Sequence, residues 1–284
     1  MEEILALVRT RHGLDFSLEE SLSGGEGPGA YALRSDGGRA VLKFLEGAGA
    51  EHVGNTIRAV DELRSRGYPA PAYMCWGSDP RGMYVIQEQL EGTPIGDAFG
   101  EQHVAEVLRL NQLQADAKTD AVGDWPGPVV DPVLEGGEGY CLLETMRTHS
   151  DETSGLLLEL QHIASTDGGS IGPRSDYVHF DFSQANILSG RERITGVIDW
   201  DAVCLGDRAF DLVTLAFYAH EIPEVFQRIW SVVLDLSGAA ALRTYFAHMM
   251  LRQTEWSIRF HSAEIAQRYL DRSRAIMTQL GSLR

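Results

Sequence analysis

Lysine is almost missing from this chain, and cysteine is scarce. Lys43 and Lys118 are the only lysines, so arginine carries nearly all the positive charge. Cys75, Cys141 and Cys204 are odd in number and widely spaced; this argues against a disulfide framework or a zinc site and fits reduced thiols. No run of eighteen apolar residues occurs, so no membrane span and no membrane partner are expected. Met1-Glu2-Glu3 lacks the basic and apolar regions of a signal peptide, so a cytoplasmic protein is expected. Positive charge is short overall: 24 Lys and Arg face 41 Asp and Glu, a formal net charge of −17. That argues against nucleic acid as a partner, because its phosphates demand a basic face. The same surplus attracts cationic small molecules, and it also serves solubility. A monomer or a dimer is expected.

What is present is a chain of 284 residues with 44% hydrophobic content, enough for two lobes. Residues 1–92 read as a small mixed lobe. Glu2 to Arg11 has a helical pattern; Phe16 to Ser23 and Ala30 to Arg34 read as strands around the turn Gly24-Gly25-Glu26-Gly27-Pro28-Gly29. Asp36-Gly37-Gly38 is a hairpin signal leading into the apolar strand Ala40 to Phe44. Val53, Ile57, Val60 and Leu63 mark one face of a helix that Gly67 and Pro69 end. Met83 to Gln87 is a further strand, and Glu91-Gly92-Thr93-Pro94 is the expected boundary. Residues 93–284 read as mainly helical, with a Gly/Pro-rich acidic connection from Gly123 to Gly139 and short extended pieces at 178–188 and 194–200. Leu242, Tyr245, Met249, Trp256 and Phe260 form a stripe expected in the core.

One stretch carries chemistry. Asp181 is followed five residues on by Asn186, and thirteen residues later by Asp199 within Gly196-Val197-Ile198-Asp199-Trp200-Asp201. Phosphoryl transfer needs phosphates and metal positioned, and a carboxylate to take the proton of the attacking hydroxyl. Asp181 suits the base; Asn186 and Asp199 offer hard oxygen ligands for Mg²⁺.

This pattern resembles the protein-kinase-like fold, and more closely the aminoglycoside phosphotransferase family. His179, Asp181, Asn186, Ile187, Leu188, Gly196, Ile198, Asp199, Gly206, Asp207 and Asp211 match that family's signature. The resemblance implies an α+β, bilobal protein-kinase-like fold: a small N-terminal antiparallel sheet lobe, residues 1–92, that binds nucleotide and includes the hinge, and a larger mainly helical lobe, residues 93–284, with catalytic loop and acceptor site. It implies Asp181 as catalytic base and Asn186 and Asp199 as magnesium ligands. Lys43 would grip the α- and β-phosphates of ATP, or of GTP. The purine would bond the backbone at Glu88 C=O and Leu90 N–H. The turn containing Gly25 and Gly27 would fold over the phosphates, although such a turn also reads as an ordinary hairpin. Glu51 is the first choice for the acidic partner of Lys43, with Asp61 and Glu62 as alternatives.

The chain departs from the pattern in places. Phe180 replaces the usual Gly after His179, and Trp200-Asp201 replaces the Phe-Gly of ordinary protein kinases. Asp201 reads either as a further metal ligand or as the partner of a nearby Arg or His, the second being preferred. His179 is expected to support the loop, Asp211 to cap a helix and brace the catalytic loop, and Cys204 to pack. Acidic residues including Asp116, Asp120, Asp124, Asp131, Glu135, Glu138, Glu144, Asp151, Glu152, Glu255, Glu264 and Asp271 suit a cationic acceptor collectively. Trp125 and Trp256 are able to stack on a cation, with core packing preferred for Trp256. The leading expectation is an antibiotic kinase acting on an aminoglycoside or a basic cyclic peptide of the tuberactinomycin type. The alternatives are a metabolic kinase of the choline, homoserine or sugar-amine type, a catalytically silent kinase-like binding protein, and a hydrolase using the same carboxylates and metal.

Overall fold

The computed structural model describes residues 1–22, 29–45, 47–118, 125–190 and 193–283. In chain order its elements are α1 (Glu2–His12), β1 (Ser17–Leu22), β2 (Ala30–Ser35), β3 (Gly38–Leu45), α2 (Ala50–Ser65), β4 (Tyr73–Asp79), β5 (Gly82–Glu88), β6 (Thr93–Pro94), α3 (Glu101–Leu113), α4 (Gly127–Leu134) and α5 (Leu143–His149). They continue with α6 (Asp151–Asp167), β7 (Asp176–Val178), β8 (Ile187–Gly190), β9 (Arg193–Val197), β10 (Cys204–Gly206), α7 (Ala209–Tyr218), α8 (Pro223–Phe260) and α9 (Ala263–Leu280). Two compact units emerge: Met1–Gly96 with Ala185–Val203, and Asp97–Gln184 with Cys204–Arg284. The lobes read from the sequence, 1–92 and 93–284, are single stretches, whereas the units interleave. The β8–β9 hairpin joins the first unit because β8 pairs with β6 and Val197 N–H donates to Pro69 C=O.

The first unit holds a five-stranded antiparallel sheet in the order β1-β2-β3-β5-β4. Alternation sorts its side chains onto two faces. Ala40 and Leu42 of β3, with Tyr84 and Ile86 of β5, pack with Ile4 and Val8 of α1. Met83 and Val85 pack with Val53 of α2 on the other face. Lys43 alternates with Leu42 and pairs in register with Val85, so it belongs to the α2 face. A one-residue slip would drive Lys43 into the α1 core and turn Leu42 out of it. Leu42 is fully buried, which is worth roughly 1.5–3 kcal/mol for a side chain of this kind. Strand β4 has no forerunner in the sequence reading. It is an edge strand with a bulge between Tyr73 and Cys75, and its exposed Met74 and Trp76 hide the usual alternation.

The second unit is helical, apart from the antiparallel pair β7–β10. Helix α7 is buried from Ala209 through Phe217, so it is the centre of this unit rather than an amphipathic surface helix. Helix α8 breaks at Gly238 (φ 82°), and its second half is buried along Leu242, Tyr245, Met249 and Met250. By length and composition this helix would pass for a membrane span, which the sequence reading did not anticipate; the burial of its second half identifies it as a core helix. Two expectations are corrected here. The connection from Gly123 to Gly139 contains α4, whose Val129 and Val133 are buried one helical turn apart among residues that otherwise read as breakers. The stripe on α8 leaves the core at its end, where Trp256 is half-buried and Phe260 is 53% exposed.

Candidate active site

In the first unit, Lys43 Nζ lies 2.7 Å from Asp199 Oδ1 and 2.8 Å from Asp201 Oδ2. Burial works against the Lys43 ammonium, but Asp201 and Asp199 outweigh it and hold Lys43 above the ordinary lysine range. The Asp201 carboxyl is pushed up, first by burial and then by the adjacent Asp199 charge, against the pull of Lys43. Lys43 therefore has Asp199 and Asp201 as its acidic partners, and not Glu51, which is exposed on the first turn of α2. The next residue on that turn, His52, reaches the site instead: its Nε2 lies 2.8 Å from the backbone oxygen of Asp201. The side-chain partner of Asp201 is Lys43, not the arginine or histidine expected, because alternation on β3 brings Lys43 to this face.

The β8–β9 hairpin presents the metal-ligand candidates. Ile198 N–H donates to Asn186 C=O (2.9 Å), which sets Asn186 and Asp199 on neighbouring ends of the hairpin. Trp200 anchors the turn that follows. It is 1% exposed, its Nε1 donates to Val197 C=O (2.9 Å), and its ring meets the Tyr68 ring edge-on. Asp199 itself sits in the left-handed region (φ 68°), which Asp tolerates better than most residues and which recurs at functional sites. Among the described residues, no group of three or more His, Cys, Asp or Glu side chains is arranged to hold a metal. The oxygen donors that the hairpin offers are the Asn186 amide and the Asp199 carboxylate, with Asp201 nearby. That set suits Mg²⁺, which takes one or two protein carboxylates and completes its shell with phosphates and water.

Glu88 ends β5, where its N–H donates to Ala72 C=O (2.8 Å) and its Oε2 accepts from Ala72 N–H and Arg64 (both 3.2 Å). The hinge-like segment beyond it lies against the hairpin. A Cβ on Gly196 would come within 2.5 Å of Leu90 Cδ1, and one on Gly92 (φ 119°) within 2.3 Å of Thr195 Oγ1. Glycine at 196 and 92 therefore lets the Leu90 segment approach β8 and β9. Gly25 and Gly27 lie outside the described residues.

In the second unit, His179-Phe180-Asp181 follows β7. Asp211 Oδ2 accepts from His179 N–H (2.8 Å) and from Gln114 Nε2 (2.6 Å), and Oδ1 accepts from Phe180 N–H (2.9 Å). Asp211 is fully buried, which raises its carboxyl above the ordinary range against those donors and His179. It braces the turn as expected, but it is not the helix cap: Arg208 holds that position, and Asp207 Oδ1 accepts from Ala209 N–H (2.9 Å). His179 is buried, and its Nδ1 accepts from Asp181 N–H (3.3 Å), a supporting role. Asp181 Oδ1 accepts from Arg252 Nη2 (2.8 Å).

A half-buried lysine between two carboxylates, a hairpin with hard oxygen donors and a braced aspartate are the parts of a phosphate-handling enzyme. The model of the phosphotransferase enzyme family matches residues 19–243. The chain belongs to this family. Among solved structures, aminoglycoside phosphotransferase APH(4)-Ia, as a thermostable mutant in ternary complex with ADP and hygromycin B, superposes on this phosphotransferase with TM-score 0.72 and 20% identity. The alignment covers 99% of this chain and 100% of that one. A microcompartment-associated aminopropanol kinase gives TM-score 0.72 at 15% identity, covering 96% of this chain and 94% of its own. Spectinomycin phosphotransferase APH(9)-Ia, in complex with ADP and spectinomycin, gives TM-score 0.67 at 12% identity, covering 96% and 93%. At these identities the likeness establishes the fold, which is protein-kinase-like. No curated protein matches.

Several side chains of this phosphotransferase escape sequence reasoning. Arg252 touches the 179–181 turn, and Gln114 donates to Tyr177 C=O and to the Asp211 carboxylate behind that turn; both are remote in sequence, and no local pattern marks them. Trp125, a candidate for stacking on a ligand, is 4% exposed; its Nε1 donates to Tyr245 Oη (3.1 Å), whose hydroxyl donates to Asp207 (2.9 Å). Trp256 is the more accessible of the two, with Arg259 lying over its ring at 5.2 Å. Some acidic acceptor candidates already have partners: Glu255 is fully buried and paired with Arg259, and Glu152 lies 3.7 Å from Arg274. Cys204 is half-buried in β10, and Asp120 and Asp124 lie outside the described residues.

Proposed function

We propose that this phosphotransferase moves the γ-phosphoryl group of ATP, or of GTP, to a hydroxyl of a cationic small molecule. The favoured acceptors are an aminoglycoside or a basic cyclic peptide of the tuberactinomycin type, and the transfer would confer antibiotic resistance in the cytoplasm. The observation that carries the reading is the Lys43–Asp199–Asp201 cluster, in which one cation sits between two carboxylates of the first unit. A metal–nucleotide complex can take over both halves of such a cluster: phosphate for the lysine, and a divalent cation for Asp199.

In this reading Asp181 accepts the proton of the acceptor hydroxyl while its oxygen attacks the γ-phosphorus. The bond from that phosphorus to the bridging oxygen breaks, and the nucleoside diphosphate leaves with the electron pair. Asn186 and Asp199 would hold Mg²⁺, and Lys43 would pair with the α- and β-phosphates. Mg²⁺, when bound, neutralises charge on the phosphate oxygens. Glu88 C=O and Leu90 N–H would meet the purine edge, and the Gly25–Gly27 turn would cover the phosphates. Asp211 keeps the 179–181 turn in shape through the two N–H groups that it binds.

The net charge of −17 supports a cationic acceptor through long-range attraction. The pairing of Glu255 and Glu152 with arginines favours a second reading, in which the acceptor carries one amine and few contacts, as in a metabolic amino-alcohol kinase. A panel separates the two: hygromycin B, spectinomycin, a tuberactinomycin, aminopropanol, choline and homoserine, each incubated with Mg·ATP and Mg·GTP and weighed by mass spectrometry. A phosphoryl group gained by an antibiotic alone supports the first reading, and one gained by a small amino alcohol alone supports the second. No nucleotide consumption with any acceptor would favour a silent binding protein.

A further inference from the structure

Arg252 stands in the second half of α8, and its guanidinium reaches two successive residues of the catalytic turn. Nη1 donates to Phe180 C=O (2.9 Å), and Nη2 donates to Asp181 Oδ1 (2.8 Å). The rigid fork of a guanidinium fixes the distance between those two oxygens, so it sets the carboxylate relative to its own backbone. The ion pair is partly shielded, with Arg252 21% and Asp181 34% exposed. Shielded ion pairs contribute little to stability compared with apolar packing of the same volume. Stability alone therefore does not account for a cation here.

The residue between them supplies a second, independent observation. Phe180 occupies the left-handed region (φ 70°) where the family pattern carries glycine, a conformation that is strained for a bulky residue. Such strain persists only where surroundings over-determine it. Here the Phe180 ring stacks on Phe210 (centroids 4.9 Å apart), meets His248 edge-on at 5.6 Å, and lies 6.0 Å from the Arg252 guanidinium carbon. His248 adds no competing charge: burial, then the Arg252 cation, push its imidazole down to about 3. The ring of Phe180, its carbonyl and the carboxylate of Asp181 are thus all tied to one side of α8.

We propose that Arg252 is a positioning residue for phosphoryl transfer, holding the Asp181 carboxylate in one orientation for the acceptor hydroxyl, with Phe180 as the wedge that seats the fork. The proposal rests on Asp181 being the base. The glycine freedom usual before the catalytic aspartate is replaced here by an aromatic wedge and a guanidinium clamp.

The test compares Arg252→Met, Arg252→Lys, Arg252→Ala and Phe180→Gly with Asp181→Asn in the full chain. The probe is Mg·ATP with hygromycin B, spectinomycin or aminopropanol, and with water alone as acceptor. Arg252→Met is expected to lower kcat about 100-fold, the scale of a misplaced catalytic group, with the KM for ATP unchanged. Arg252→Lys should lie between it and the unmodified protein. Added guanidinium ion should restore part of the rate to Arg252→Ala and none to Asp181→Asn. Phe180→Gly should lower kcat less than Arg252→Met, and the double variant should be no slower than Arg252→Met, because the two residues act as one unit. A full-rate Arg252→Met overturns the proposal. So does a slow Arg252→Ala that melts at the unmodified temperature yet gains nothing from guanidinium. A full-rate Asp181→Asn overturns the assignment of the base instead. An inactive Asp181→Asn beside a full-rate Arg252→Met removes the clamp and leaves the base standing.

Discussion

The two units of this phosphotransferase handle charge in opposite ways. In the first, one cation, Lys43, faces two carboxylates, Asp199 and Asp201, so the cluster carries a surplus negative charge. In the second, the Asp181 carboxylate faces Arg252, and the pair is balanced. A cluster with surplus negative charge is suited to exchange: a divalent cation can replace lysine at Asp199, and phosphate can replace Asp199 at lysine. A balanced pair built on a guanidinium, with a second bond to the backbone, is suited to hold still. On the proposed function, nucleotide exchange falls to the first unit and positioning to the second.

The sharpest way to break that comparison is at Lys43. Lys43→Met is expected to lower kcat/KM about 10²–10³-fold, the cost of losing one preorganised electrostatic group, as measured by steady-state kinetics against Mg·ATP. Loss under tenfold would show that Lys43 is not a phosphate ligand. Next is the brace. Asp211→Ala leaves the N–H groups of His179 and Phe180 and the Gln114 amide without their acceptor, and should cost about 3 kcal/mol in urea unfolding. A loss below about 1 kcal/mol would mean that these donors find other partners. Smaller again is Asp201→Asn, which removes one charge from the cluster and should weaken Mg·ATP affinity about tenfold or less. A much larger loss would make Asp201 a metal ligand rather than a lysine partner.

The expected effect that is smallest at neutral pH concerns His248. Its unfolded value is 6.5 and its folded value about 3, so between these the unfolded chain binds a proton that the folded chain does not. Its contribution is neutral above pH 6.5, and stability falls as the pH drops further towards about 3. His248→Phe should flatten that part of the stability profile measured by urea titration, and an unchanged slope would assign the acid sensitivity elsewhere.

Much of the first unit is legible in the sequence because its signals are local. The Asp36-Gly37 turn sets the β2–β3 register, alternation places Lys43 opposite Leu42, and Gly67 ends α2. The spacing of Asp181, Asn186 and Asp199 is likewise local, and the fold follows from it through family resemblance. What escaped depends on distant contacts. Lys43 is paired across 156 residues to Asp199 and 158 to Asp201, whereas the local signal, a place on the first turn of α2, points to Glu51. Arg252 meets Asp181 across 71 residues, and one arginine on a long helix looks like any other. Trp125 lies deeper and Trp256 shallower than expected because a lone tryptophan carries no sign of its depth; the close seat of Trp125 against Gly206 is a packing fact. Strand β4 was missed because its exposed Met74 and Trp76 imitate a core pattern.

The central claim, that the first unit binds nucleotide and the second unit drives transfer, meets its most direct test in one calorimetric titration. Mg·ATP is titrated into Asp181→Asn and Asp199→Asn, and nucleotide turnover is followed on the same samples. The account predicts that Asp181→Asn binds Mg·ATP as the unmodified protein does but transfers nothing, while Asp199→Asn loses at least about tenfold in affinity, some 1.4 kcal/mol. Normal affinity in Asp199→Asn, or normal turnover in Asp181→Asn, would contradict it.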